Sequence, residues 1–225
     1  MVPFRDSQQS RFLPIVTYTL IALNVITFLW DRQLNVLGPP VVFADLGMRP
    51  DDLWRSFRIG GDQGPLVTLF TAIFLHANLS HLIFNMLFML TFGPGIEEAL
   101  GYRRFALYYV IWGVFAGLTH AFVHMNSNAV VVGASGAIGG ILGAYFLLFP
   151  TNKIEIVTPL GFFEVSAWIL LGLWFLWQIF IPQANVANWA HAGGFLAGMS
   201  TVLLMGGRDR VIAGRPLEAL DDPAV

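Results

Sequence analysis

The sequence contains no cysteine in its 225 residues. Disulfides, thiolate metal sites and a cysteine nucleophile are therefore excluded. Charge is scarce too: Asp, Glu, Lys and Arg make up 12% of the chain, against ~25% in soluble domains. So few charges do not cover the surface of a soluble globule of this size. A basic excess is also missing, since the formal net charge is −2, and nucleic acid is not an expected partner. What is present excludes disorder, because 56% of the residues are hydrophobic and 14% aromatic. The class that remains is an integral membrane protein in a lipid bilayer.

Four stretches lack Asp, Glu, Lys and Arg altogether: 12–30, 63–96, 105–152 and 165–207. A spanning helix needs about 20 apolar residues, so the first two hold one span each and the last two hold two each. The expected spans are 15–30, 80–96, 105–123, 135–149, 165–181 and 187–204. Pro150 and Pro182 fit helix ends, because proline cannot continue a helix interior. The expected fold class is all-α: a polytopic membrane protein of six transmembrane helices. It comprises an N-terminal segment, 1–14, a six-span domain, 15–204, and a short polar tail, 205–225, expected to fray. Between the first two spans runs one long loop, 31–79.

An even number of spans puts both termini on one side. Arg5, Arg11, Arg103, Arg104, Lys153, Arg208, Arg210 and Arg215 share that side, and Arg32, Arg49, Arg55 and Arg58 lie opposite. The richer side is expected to be cytoplasmic. No small-residue cleavage site follows the first span, which ends in Asp31-Arg32-Gln33. No Arg- and Ser-rich transit segment precedes it, and the compartment expected is a prokaryotic plasma membrane.

Polar groups in hydrocarbon are costly, so ionisable residues inside spans suggest function. His81 and Asn85 are spaced i,i+4 and share one face of an otherwise apolar helix, with His76 just before it. Taken alone, they also read as a polar pair that joins helices. Ser135 lies in Gly133-Ala134-Ser135-Gly136 at the start of a span. Taken alone, it reads more readily as an N-cap than as a nucleophile. His191 lies beside a stripe of small residues, Ala190, Gly194 and Gly198, which favours close helix contact. Its own alternative is a structural histidine in a packed interface. Together the three segments hold the inventory of serine acyl transfer. A hydroxyl needs a base, and the developing oxyanion needs preorganised donors. His120 and His124 share i,i+4 spacing, but no HExxH or carboxylate supports a metal there, and no metal or cofactor is expected.

These residues resemble the rhomboid family of intramembrane serine proteases, over nearly the whole chain. The GASG at 133–136 is similar to that family's GxSG, which implies Ser135 as nucleophile. The AHxxGxxxG run at 190–198 implies His191 as general base. The HxxxxHxxxN pattern of His76, His81 and Asn85 implies His81 and Asn85 in the oxyanion hole, with His76, Gly133, Gly136, Gly194 and Gly198 supporting. Glu97 followed by Gly101 resembles the end of the family's second helix. Two departures stand out. Val67-Thr68 replaces a Trp-Arg pair found in many members, with Trp54-Arg55 further upstream. Gly139 stands where some members carry an aromatic that packs on the catalytic histidine. The resemblance implies a Ser–His dyad without a carboxylate, so helix packing is expected to hold His191. The polar side chains of His76, Asn78, Ser80, His81 and Asn85 are expected to line a water-filled cavity.

The function implied is a serine-type endopeptidase, a hydrolase that cleaves transmembrane segments of membrane-protein substrates. The alternative is a catalytically inactive rhomboid-like binding or quality-control factor. Such relatives typically lose the Ser or the His, and this chain keeps both. A transporter is disfavoured by the lack of repeats and of charged residues within the spans.

Overall fold

The structure, a computed structural model, describes residues 2–6, 13–57, 61–158 and 161–214. A helix stands at each of the six predicted segments: α1 (Ile15–Asp31), α5 (Leu79–Leu100), α6 (Tyr102–Val123), α7 (Ser135–Leu148), α8 (Ala167–Phe180) and α9 (Asn188–Leu204). Of these, α5 and α6 are long and apolar enough to cross a membrane by themselves. The stretch between α1 and α5 is not a plain loop. It carries α2 (Phe43–Leu46), α3 (Pro50–Ser56) and α4 (Gly64–Thr71), which runs into a 3-10 turn at Ala72–Phe74.

Large apolar side chains face outward along the helices, among them Ile26 on α1, Phe84 on α5, Leu107 on α6, Leu173 on α8 and Leu203 on α9. An aqueous exterior does not tolerate so much contiguous apolar surface, and lipid does. By contrast, α7 is central, with every residue from Gly136 to Tyr145 buried. At 14 residues it is about 21 Å long, shorter than a ~30 Å hydrocarbon core.

Glycines make that central position possible. A Cβ on Gly194 or Gly198 of α9 would strike the backbone oxygen of Gly136 or Gly140 on α7. In the reverse direction, a Cβ on Gly143 of α7 would strike the backbone oxygen of Phe195. The two backbones are in direct contact, as small-residue stripes allow. Trp112 of α6 packs on Gly140 of α7 and donates from Nε1 to Thr201 Oγ1 of α9 at 2.9 Å.

The first turn of α1 is held by a buried carboxylate. Glu97 on α5 accepts from the backbone N–H groups of Val16 and Thr17 at 2.8 and 2.7 Å and from Thr17 Oγ1 at 2.7 Å. A negative charge at a helix N-terminus satisfies donors that have no partner within the helix. Replacing Glu97 by Ala strands these donors and is expected to destabilise the fold by about 3 kcal/mol or more, while Gln costs less. Thermal unfolding of both variants in detergent checks the order.

The described chain is mostly helical, and beyond the all-α expectation it also carries a small antiparallel sheet. Strands β1 (Val2–Asp6), β2 (Lys153–Thr158) and β3 (Gly161–Ser166) lie in the order β1-β2-β3. Ile154 and Ile156 of β2 point into the main core, while Lys153 lies exposed between solvent and sheet. Alternation with a period of two produces this half-buried strand. Helix α8, at the fifth expected span, consequently starts at Ala167 rather than 165, since residues 165–166 complete β3. Part of the tail is also ordered. Helix α10 (Arg208–Ala213) buries Val211, and Arg208 Nε donates to the carbonyl of Leu148 at the end of α7. The rest of the tail, 215–225, lies outside the described residues.

Candidate active site

The chain enters α7 through Gly133, whose φ of +125° favours glycine. Its N–H donates to the Ala72 carbonyl at 2.8 Å, which ties the entry to the 3-10 turn. The N-cap of α7 is Ala134, and no side chain caps the helix. Ser135 is thus the first helical residue and not the N-cap. Its hydroxyl pairs across the bundle instead: Ser135 Oγ lies 2.8 Å from His191 Nε2, in the first turn of α9.

The other ring nitrogen is engaged as well. His191 Nδ1 lies 2.8 Å from Gln178 Oε1 on α8. The indole of Trp174, one turn earlier on α8, stacks on the imidazole with centroids 5.8 Å apart and planes inclined by 26°. Helix packing is therefore not the sole support of His191. Gly139 explains why the support comes from α8: a Cβ there would lie 2.7 Å from the His191 carbonyl oxygen. An aromatic side chain at 139 has no room, and the imidazole is held by Gln178 and Trp174 instead.

His81 lies against Gly133. A Cβ on that glycine would sit 2.8 Å from His81 Nε2 and 3.5 Å from Ser135 Oγ. Both side chains thus flank one small backbone position. Asn85, one turn further along α5, is buried, and its Nδ2 has no hydrogen-bond partner among the described residues. A buried amide donor without an acceptor is costly and calls for a ligand or a water. Gly136 packs on Ala116 of α6 and faces Ala190.

The ring of His76 sits edge-on to His81, with centroids 5.1 Å apart. Burial, followed by the charge of His81 beside it, pushes His76 down from 6.5 to about 3. It is neutral at working pH and suited to packing rather than to proton transfer. An unfolded chain takes up this proton below pH 6.5, whereas the folded chain takes it up only near 3. The stability that His76 contributes is thus complete above pH 6.5 and is lost progressively as pH falls toward 3. A His76→Gln variant is expected to show a shallower fall in Tm between pH 6.5 and 4 in detergent, and an unchanged slope contradicts this.

A narrow cavity of about 30 Å³ opens beside Ser135, bounded by Leu69, Ala72, Ile73, Gly113, Val131 and Ala190 among others. Its lining is mostly apolar apart from Ser135, and none of His76, Asn78, Ser80, His81 and Asn85 borders it. His76 is buried, and Asn78 is occupied as the N-cap of α5, its Oδ1 accepting from the His81 N–H at 2.8 Å. His120 and His124 stack face to face at 4.5 Å. Among the described residues no group of three or more His, Asp or Glu side chains is placed to hold a metal ion.

Two elements escape a sequence reading centred on histidines. Gln178 is the one amide in the otherwise apolar run of α8, and the cost of a polar group in a span was its available signal. Arg32 looks like a loop charge, yet it is buried beside Asp31. It donates to the carbonyls of His76 and Ala77 at 3.0 and 2.8 Å. Trp54 also anchors the loop, donating from Nε1 to the Ala121 carbonyl of α6 at 2.7 Å.

Comparison with known proteins gives this arrangement a context. The chain is similar to "Putative rhomboid protease YdcA" of Bacillus subtilis (strain 168), 31% identical over 84% of this chain and 86% of that protein. It is also similar to "RHOMBOID-like protein 5" of Arabidopsis thaliana, 32% identical over 64% of this chain and 46% of that protein. "Rhomboid protease GluP" of Bacillus subtilis (strain 168) is 29% identical over 86% of this chain and 35% of its own length. The chain thus spans most of the first relative and less than half of the other two. The model of the Rhomboid domain matches residues 63–208, more than half of the chain and all of α5 to α9. The chain belongs to the rhomboid family.

Proposed function

We propose that the chain is an intramembrane serine endopeptidase that cleaves transmembrane segments of membrane proteins. The observation that carries this reading is the 2.8 Å contact between Ser135 Oγ and His191 Nε2, within a mainly helical integral membrane protein of the rhomboid family. In the proposed reaction Ser135 Oγ attacks the scissile carbonyl carbon while its proton passes to His191 Nε2. The His81 side chain, Asn85 Nδ2 and the Ser135 N–H donate to the oxyanion. His191 then protonates the leaving amine, and an acyl-enzyme on Ser135 remains. A water gives its proton to His191 as it attacks that ester, and Ser135 is regenerated.

The proposed topology has six spans within residues 15–204 and both termini in the cytoplasm of a prokaryotic cell. The site then opens toward the outer surface. The test is reconstitution in liposomes with a panel of single-span reporters. Cleavage inside the reporter span, mapped by mass spectrometry and absent with Ser135→Ala, supports the proposal. A folded protein that binds reporters and cuts none points to the inactive binding factor instead.

A further inference from the structure

A general-base histidine has to present a bare Nε2 to the serine hydroxyl. Nothing in the Ser135–His191 contact decides this, because a hydroxyl both donates and accepts. The decision comes from a chain of bonds that starts at a backbone group. The N–H of Gln183, in the loop between α8 and α9, donates to Asn188 Oδ1 at 3.3 Å. A backbone N–H is a donor and nothing else, so it fixes which end of the Asn188 amide is oxygen. Asn188 Nδ2 is then directed to the Ile181 carbonyl at 3.5 Å and to the Gln178 side chain at 3.2 Å. A carbonyl only accepts, which agrees with that orientation.

Because Asn188 offers an N–H to Gln178, the Gln178 atom facing it is Oε1 rather than the NH₂ group. The same Oε1 faces His191 Nδ1 at 2.8 Å. An amide oxygen cannot donate, so the proton of the neutral ring resides on Nδ1. Nε2 is left with its lone pair toward Ser135 Oγ. Both amides are 5 to 7% exposed, so water does not readily replace these bonds.

We infer that Gln178, oriented by Asn188, is the positioning residue that sets His191 in the tautomer of a general base. This rests on the reading of Ser135 and His191 as nucleophile and base. Gln178 does for the imidazole what a carboxylate does in a three-member site, holding orientation and tautomer, but it adds no charge. The grip also spans two helices, since Gln178 is on α8 and His191 on α9. The alignment of the base therefore depends on α8 staying in place.

Two measurements on the full chain test this. In the first, ¹⁵N-labelled histidine NMR in detergent near pH 7.5 reads the His191 tautomer, with the signal assigned by its loss in His191→Ala. The wild type is expected to carry the proton on Nδ1, and Gln178→Leu is expected to give a mixture of tautomers. In the second, reporter hydrolysis by Gln178→Leu is expected to show kcat lowered on the order of 10²-fold with KM nearly unchanged. That is less than the ~10⁴ lost to a wrong tautomer in a carboxylate triad. Gln178→Glu keeps the acceptor, and its charge favours the imidazolium. It is expected to restore most of kcat at high pH and to move the acid limb of the profile upward. A wild-type proton on Nε2 overturns the inference. So does a folded Gln178→Leu with wild-type kcat and pH profile while the wild type cuts its reporter, and the protease reading then survives. A wild type with the proton on Nδ1 that labels with no serine probe and cuts no reporter overturns the protease reading and the positioning role of Gln178 with it.

Discussion

Alanine at Ser135 or at His191 is expected to lower reporter hydrolysis by a factor on the order of 10⁶, the loss seen when either member of a serine protease's pair is removed. In the proposed reaction the two residues act as one unit, because the hydroxyl is a weak nucleophile until Nε2 accepts its proton. Their effects are therefore not additive, and the double variant is expected to match either single one. Residual hydrolysis, if any, comes from the oxyanion donors and from binding. The geometry behind this is a 2.8 Å contact between two helices whose backbones touch at Gly194 and Gly136. Rates of the three variants on one reporter check the claim. A double variant far slower than both singles contradicts the concerted pair.

Replacing Arg32 by Met is expected to destabilise the protein by about 3 to 5 kcal/mol, the cost of leaving a buried partner charge unpaired. Asp31 and Arg32 lie 3.0 Å apart with side-chain exposures of 1% and 2%. The guanidinium also sits over the Phe28 ring at 3.8 Å. Asp31 Oδ1 accepts from the N–H groups of Val41 and Val42, so the pair organises the loop on both sides. An Asp31→Asn, Arg32→Met double variant keeps that acceptor and removes the orphaned charge, and it is expected to recover part of the loss. Arg32 also fixes the carbonyls of His76 and Ala77, three and two residues ahead of α5 and five and four ahead of His81. At temperatures where Arg32→Met stays folded, kcat is therefore expected to fall with the anchor of the proposed oxyanion donors gone. Thermal unfolding and hydrolysis at two temperatures separate the two effects.

The helical frame was legible because lipid imposes a simple rule: long stretches free of charge become helices. The close approach of α7 and α9 was legible in Gly136, Gly140, Gly194 and Gly198, since glycine at i,i+4 spacing leaves nothing between two backbones. The candidate residues Ser135, His191, His81 and Asn85 each had a structural reading alone, and stood out as a set only when the three segments were taken together. Other features had weaker signals. The period-two strand at Lys153–Thr158 is short and lies between two apolar helices, where a search for apolar length passes over it. Asp31 and Arg32 look like ordinary loop charges until three dimensions bury them together. Gln178 is 13 residues from its partner His191 and on a different helix, so no local spacing links them. The helices inside 31–79 are short and held by tertiary bonds such as Trp54 Nε1 to the Ala121 carbonyl, which no local propensity announces.

The central claim is that His191 activates Ser135, and the most direct measurement is covalent labelling of the protein in liposomes with a fluorophosphonate probe. The account predicts stoichiometric labelling of the wild type on Ser135, with labelling lost in both Ser135→Ala and His191→Ala. An unlabelled, folded wild type beside a labelled active rhomboid control, or a His191→Ala variant that labels as fast as the wild type, contradicts it.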